Sequence, residues 1–417
     1  LVAEDAAEPR KQKTSAEFTS HSQHSERAIR EMPNDPQIIA ARFARAVALL
    51  YVAICVAIGI QLPFFPLWLE AKGLDAGMIG LVLAAPMVVR LFSIPVLTRL
   101  ADRHQALRGT IVAAAVLSAA GMLALGFTEG AVAILLVFTL ASIPFTPIMP
   151  MAEAYALRGL AQVGRAYGPV RLWGSAAFIG GSLGAGWIID SIAPGNLIWL
   201  IAAAMLATAL AAAGLIPLPP GTPVPDAPEP SYQGFLRTPG FALVAAAAGL
   251  IQASHAVYYN FSALDWKAAG MDGTAVGALW AVGVVAEITL FALSGRLPPR
   301  LGPTALLVVG ALGATLRWAV MALDPPMAAL PFLQCLHGLS FGATHLGAIG
   351  FVARAAPAGR AATAQGSLAV VLGGTMALSM GLSGLLYEAF GTFAYAGMAL
   401  MAVAGGLCAV TAWRRAP

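Results

Sequence analysis

From about residue 45 onward the sequence runs in long, nearly continuous apolar stretches separated by short polar breaks. Crossing the hydrocarbon of a bilayer takes about 20 consecutive apolar residues. Twelve stretches reach that length, at roughly 45–67, 76–98, 109–128, 131–155, 169–190, 195–216, 240–262, 274–296, 303–323, 328–353, 362–386 and 392–413. Their apolar character is continuous, not alternating, so helices are predicted and not barrel strands. The one longer break, PLPPGTPVPDAPEPSYQGFLRTPG at 217–240, is rich in proline and divides the spans six and six. Residues 1–44 differ in kind: they are polar, carry seven acids and lack the apolar core of a secretory signal. They are predicted to form a disordered tail, with a short amphipathic helix near Ile38–Arg45 leading into the first span. The predicted fold class is an all-α membrane protein: two six-helix halves, 45–216 and 240–417, joined by a linker at 217–239.

Composition sharpens this. The 417 residues are 59% apolar and only 11% charged, against about 45–50% and 25% in soluble domains. A soluble enzyme is thereby excluded. The net charge of +4 does not point to nucleic acid, because the basic residues are scattered among apolar runs. Cys55, Cys335 and Cys408 all lie within apolar runs and read as small hydrophobes, not as a disulfide or metal framework. Nineteen of the 24 Lys and Arg fall in the tail, in alternate breaks and at the C-terminus, whereas the opposite breaks hold only Lys72 and Lys267. By the positive-inside rule both termini are expected in the cytoplasm, with the chain in a cell's inner (plasma) membrane. No break is long enough for a catalytic domain, and no phosphate-binding loop, metal-ligand spacing or nucleophile motif is present. Neither a cofactor nor a metal is expected. Two six-helix halves with a site between them at mid-membrane are the plan of a secondary transporter.

The residues that bear chemistry are the polar ones inside the spans, where a charge costs on the order of 2.5–3.5 kcal/mol. Arg90, Glu287, Arg317, His255, His337 and His345 all lie there. Glu287, Arg317 and His337 come from three consecutive spans of the second half. Their depths, counted at about 1.5 Å per residue, allow a Glu287–Arg317 contact. Such a pair can also be a structural staple, and a membrane histidine can as well hydrogen-bond a neighbouring helix. If the contact changes between two conformations, the carboxylate can bind and release a proton. A second group, Asp102, Arg103, Glu153 and Arg171, lies at the cytoplasmic ends of spans and suits a cytoplasmic gate, with Glu153 and Arg171 as partners across the fourth break. Prolines 144, 147 and 150 are expected to weaken or kink the fourth span.

These residues also carry a resemblance. LADR (100–103), with a degenerate counterpart LSGRLPPRLG (293–302), resembles the loop motif of the major facilitator superfamily, although Thr98 and Gln105 stand where that motif has Gly. YGPVRLWGS (167–175), QASHAVYYNFSALDW (252–266), GALWAVGVVAEITLFALSGRL (277–297), LRWAVM (316–321) and QCLHGLSFGATHL (334–346) together resemble the 3-phenylpropionate permease family over about residues 45–413. The resemblance implies a twelve-helix major facilitator fold and inward symport of an aromatic carboxylate with protons. The acid–Arg–His series is similar to that of the related lactose permease. That relative has a second carboxylate one turn after its histidine, where this chain has Ser340 and Phe341, so proton carriage would fall on Glu287, with Arg317 and His337. Arg317 or Arg90 would hold the substrate carboxylate, because guanidinium matches it with two parallel hydrogen bonds. His255, Tyr259 and Gln334 would line the pocket. The expected partners are a small-molecule substrate, protons and the lipid bilayer, and the expected state is a monomer. A sugar or nucleoside symporter and a drug or metabolite exporter share this plan. A non-transporting receptor, scaffold or membrane-embedded transferase would need a long soluble loop or a surface catalytic cluster, and neither is present.

Overall fold

The computed structural model describes residues 36–104, 106–218, 238–298, 301–356 and 361–415. The first half contains α1 (Pro36–Ala71), α2 (Ala76–Arg103), α3 (Leu107–Gly126), α4a (Ala131–Phe145), α4b (Ile148–Gln162), α5 (Tyr167–Ile189) and α6 (Leu197–Ala213). The second contains α7a (Pro239–Ala253), α7b (Ala256–Ala268), α8 (Gly273–Leu293) and α9 (Pro303–Met321). It continues with α10, built of Leu330–Cys335, a π-helical turn Gly338–Ala343 and Thr344–Ala355, then α11 (Ala361–Phe390) and α12 (Ala394–Arg415). Among the described residues, 11 stretches are long and apolar enough to cross a membrane. The last of these, Ala364–Arg415, is turned at Gly391–Phe393 into α11 and α12, with Gly391 at φ +56°. The outer faces present Phe92, Leu140, Leu312, Phe332 and Leu400, a surface that lipid and not water must solvate. This is a multi-pass, all-helical membrane protein.

Residues 1–35 of the expected tail, and most of the expected linker, lie outside the described residues. Within them, α1 begins at Pro36, so the expected lead-in helix and the first span are one continuous rod. The fourth span is divided at Pro147, which lacks an amide donor and crowds the preceding turn. The seventh span divides without proline. There Ser254 Oγ donates to the Ile251 carbonyl (2.6 Å) and His255 Nδ1 lies 3.0 Å from the Gln252 carbonyl. Side-chain donors thus take carbonyls that the helical ladder would use.

One apolar core spans both halves at the end bearing the 71–76, 189–197, 268–273 and 390–394 turns. It runs from Phe64, Trp68 and Ile79 to Phe261, Trp266 and Tyr395. Toward the opposite end each half keeps a core of its own, around Tyr51, Tyr155 and Leu160 in the first and Val244, Leu307 and Val352 in the second. The shared end is a glycine seam. A Cβ on Gly277 would overlap the Ser182 carbonyl, one on Gly273 the Gly186 carbonyl, and one on Gly80 the backbone of Gly384. These glycines bring α5 onto α8 and α2 onto α11 at backbone distance. Asp190, just past α5, fastens the seam. Its carboxylate accepts from the Gly273 amide at the start of α8 (2.7 Å) and from Lys267 Nζ (2.8 Å), both in the other half. Burial alone would push this carboxyl up. The bonds from Lys267 and Gly273 outweigh it and hold the Asp190 carboxyl below the ordinary carboxylate range.

Two predictions follow from the seam. Gly277→Ala is expected to cost about 1–3 kcal/mol through overpacking, read as a lower thermal unfolding midpoint of the purified protein. Gly180→Ala, on an open face of the same α5, should leave the midpoint unchanged. Because the folded value of Asp190 is depressed, its stabilisation is complete at neutral pH. It fades as pH drops below about 4, the unfolded value, through the lower folded one. Unfolding midpoints followed against pH should therefore fall less on acidification in Asp190→Asn than in the wild type.

Candidate functional site

Two turns from the seam, α5 and α8 diverge and the halves enclose a cavity of about 280 Å³. Cys55, Ile58 and Leu62 of α1, Met149 of α4b and Arg171, Gly174, Ser175 and Phe178 of α5 form one wall. Tyr258 and Tyr259 of α7b, Trp280, Gly283, Val284 and Glu287 of α8, and His337 and Phe341 of α10 form the other. The walls are chemically unlike. The first carries a cation, Arg171. The second carries an aromatic cluster, with Tyr258 and Trp280 stacked at 4.6 Å and His337 and Phe341 at 5.3 Å, and one carboxylate, Glu287.

Behind the second wall lies Arg317, fully buried at 0% exposure. Its Nη2 donates to Gln334 Oε1 and its Nη1 donates to His337 Nδ1 at 3.1 Å. The guanidinium carbon sits 4.5 Å from the ring centroids of both Tyr258 and Trp318, where ring quadrupoles stabilise a desolvated cation. Arginine only donates, so His337 Nδ1 accepts and a neutral ring carries its proton on Nε2. That Nε2 lies 3.7 Å from Glu287 Oε2. Arg317 therefore addresses Glu287 through an imidazole and not directly. Arg317, His337 and Glu287 form a chain from the solid interior to the cavity wall.

His255 is also fully buried. Its Nδ1 faces the Gln252 carbonyl and so donates, which leaves Nε2, 3.0 Å from Ser340 Oγ, to accept from that hydroxyl. Ser340 lies on the π-helical turn of α10, a local geometry that often marks functional positions. The pair ties the break in α7 to α10. Trp318 Nε1 adds a bond to Ser254 Oγ at 2.8 Å.

Of the sequence-expected residues, Glu287, His337, Tyr259 and Arg171 line the cavity. Arg317, Gln334 and His255 stand one layer behind it. Arg90 is exposed on α2, with Nη1 3.8 Å from Met87 Sδ, and is not on the cavity wall. Glu153 and Arg171 do meet, at 3.6 Å, and the Arg171 guanidinium also lies over the Tyr51 ring at 5.3 Å. Asp102 and Arg103 are exposed in the last turn of α2, away from the cavity. Sequence reasoning placed Arg171 at a gate and missed its place on the cavity wall. A signal was present: Arg171, Gly174, Ser175 and Phe178 recur at i, i+3, i+4 and i+7, one face of a helix. It also passed over Asp190, whose partners lie across the seam, and Trp280, which reads as an ordinary core aromatic until Tyr258 is seen against it.

The profile described as the MFS_1 like family matches residues 45–396. A probable 3-phenylpropionic acid transporter of Escherichia coli (strain K12) is 33% identical over 368 residues, covering 86% of this chain and 95% of that protein. A maltose permease of Geobacillus stearothermophilus is 28% identical over 313 residues, 74% of this chain and 78% of that one. In fold, a mutant of the nucleoside transporter NupG superposes with TM-score 0.80 at 15% identity, covering 89% of this chain and 100% of that one. An inward-facing bacterial homologue of the lysosomal transporter Spinster superposes with TM-score 0.70 at 14% identity, covering 89% and 96%.

The buried cation gives a direct test. Gln334→Leu removes the acceptor of Arg317 Nη2 while its Nε already lacks a partner. A stability loss of about 2–3 kcal/mol is expected for an orphaned charged donor. Chemical denaturation of the detergent-solubilised protein measures it, and an unchanged midpoint would mean that Gln334 does not sustain the guanidinium.

Proposed function

Because this chain belongs to the MFS_1 like family of membrane transporters, we propose that it is a proton-coupled symporter carrying a small aromatic carboxylate inward by alternating access. The observation that carries the reading is the cavity itself: a cation on one wall, and aromatic rings with a lone carboxylate on the other. A cargo with a flat apolar body fits among Tyr258, Tyr259, Trp280 and Phe178. Its carboxylate is best matched by Arg171, which lines the cavity and holds Glu153 by only one 3.6 Å contact. Arg317 is committed to Gln334 and His337, so its contribution is to position the second wall. Arg90 becomes a carboxylate ligand only in a conformation that brings it to the cavity. The volume of about 280 Å³ is near the lower limit of ligand pockets, which favours a single-ring acid over a disaccharide. The 33% identity to a probable 3-phenylpropionic acid transporter supports the same class.

Proton coupling rests on Glu287. It faces the cavity, with the Nε2 of the neutral His337 ring 3.7 Å from its Oε2. Cargo arriving beside it changes the local charge and dielectric, so binding of a proton and of an anion reinforce each other. With the termini in the cytoplasm, as the Lys and Arg distribution favours, the glycine seam is on the outer side and the cavity is poised toward the cytoplasm. Asp102, Arg103, Glu153 and Arg171 then lie on the side that closes in the opposite state. A sugar cargo is the competing reading, since a maltose permease is 28% identical.

Proteoliposomes with an imposed pH gradient test this. Labelled 3-phenylpropionate should accumulate, with competition by other aryl carboxylates and none by maltose or nucleosides. Glu287→Gln should abolish uphill accumulation and leave counterflow exchange. Uphill accumulation surviving in that variant would overturn the coupling role, and competition by sugars alone would overturn the cargo.

A further inference from the structure

The second half holds another carboxylate, half-buried, that the chain from Arg317 to Glu287 does not touch. Asp265 lies one turn from the end of α7b, on the shared core below the seam. Its Oδ1 accepts the hydroxyl of Tyr387 from α11, and Tyr387 in turn stacks on Phe261 at 4.1 Å. Its Oδ2 is buried with no hydrogen-bond partner. Tyr395 of α12, 1% exposed, likewise has a buried hydroxyl with no partner.

No cation faces this carboxyl among the described residues. Lys267, two residues on, is turned to Asp190. On α11, Glu388 points toward Gly77 of α2. The remaining charges that act on the Asp265–Tyr387 pair are Asp324, after α9, and Glu70, at the end of α1, and both are acids. An ionised carboxylate here would leave one desolvated oxygen short of a hydrogen bond and be repelled by Asp324. A neutral carboxylic acid carries no charge for the protein to desolvate.

We propose that Asp265 is a second proton-binding site, holding a proton on Oδ2 while the seam is closed, separate from Glu287. The proton comes from water at the seam end, forming the Oδ2–H bond, and returns to water when α11 moves off α2 and wets the site. Tyr387 is a positioning residue, since its hydroxyl fixes Oδ1 and leaves Oδ2 as the atom that titrates. The site rests on the transport reading only for its consequence, that opening of the seam is linked to loss of a proton. Its existence is tested without any cargo.

Infrared difference spectra of the full-length protein in lipid, titrated with pH in sodium-free buffer, read protonated carboxyl groups through their C=O stretch. Above about pH 6, where exposed carboxyls are already ionised, two components should titrate in the wild type. Asp265→Asn should remove one and leave the other, which Glu287→Gln should remove. Tyr387→Phe keeps the carboxyl but deletes the bond to its C=O, and should move the frequency of the Asp265 component alone. This variant serves if Asp265→Asn fails to fold. Identical spectra in Asp265→Asn and the wild type, or no frequency change in Tyr387→Phe, would overturn the proposal. So would an Asp265 component abolished by millimolar sodium at fixed pH, which would make this a sodium site. If the Glu287 component is missing while that of Asp265 persists, the coupling role of Glu287 fails and this site stands.

Discussion

A guanidinium sunk beyond the reach of water in a membrane helix must be satisfied by the protein around it, and Arg317 imposes that constraint on the whole second half. Lipid offers no hydrogen bonds, so α10 supplies Gln334 and His337, while Tyr258 and Trp318 supply ring faces. Each of those partners is committed in turn. His337 must accept on Nδ1, which aims its N–H toward Glu287. Tyr258 is held over Trp280, and Trp318 donates to Ser254 at the break of α7. The orientation of the cavity wall is thus set from behind. A protonated His337 would have to give up the bond it accepts from Arg317.

The second constraint is steric. Glycines at 80, 273, 277 and 384 let helices of the two halves meet at backbone distance on one side only, and the apolar core follows, shared at that end and divided at the other. The seam end combines these small-residue contacts, the Asp190–Lys267 ion pair and the shared apolar core, and the opposite end has no core in common. Arg171 connects the two constraints, since it belongs to the first half, lines the cavity and is held only loosely by Glu153. Irregular backbone gathers around the same region. The break at Ser254–His255 and the π turn after His337 both abut the buried chain, where protein and not lipid can satisfy the freed backbone groups.

Much of this was legible before any coordinates. Run lengths foretold the membrane-spanning helices, and the misfit of Glu287, Arg317 and His337 in hydrocarbon marked the region where the chain of polar contacts lies. Prolines in the fourth span foretold its break. The break in the seventh could not be read the same way, because it arises from serine and histidine donors competing for carbonyls, and those side chains are compatible with an unbroken helix as well.

What the sequence determined alone are the properties that depend on neighbours along the chain: hydropathy over about 20 residues, and with it the all-helical membrane fold. Tertiary structure decided which of the ionisable groups touch. It put an imidazole between Arg317 and Glu287, set Arg171 on the cavity wall and left Arg90 off it, and drew Asp190 to an amide 83 residues away. The physical reason is that lipid makes burial a matter of span composition. Hydrogen bonds and ion pairs, by contrast, need partners within about 3–4 Å, and only the packing of distant helices fixes distances that short.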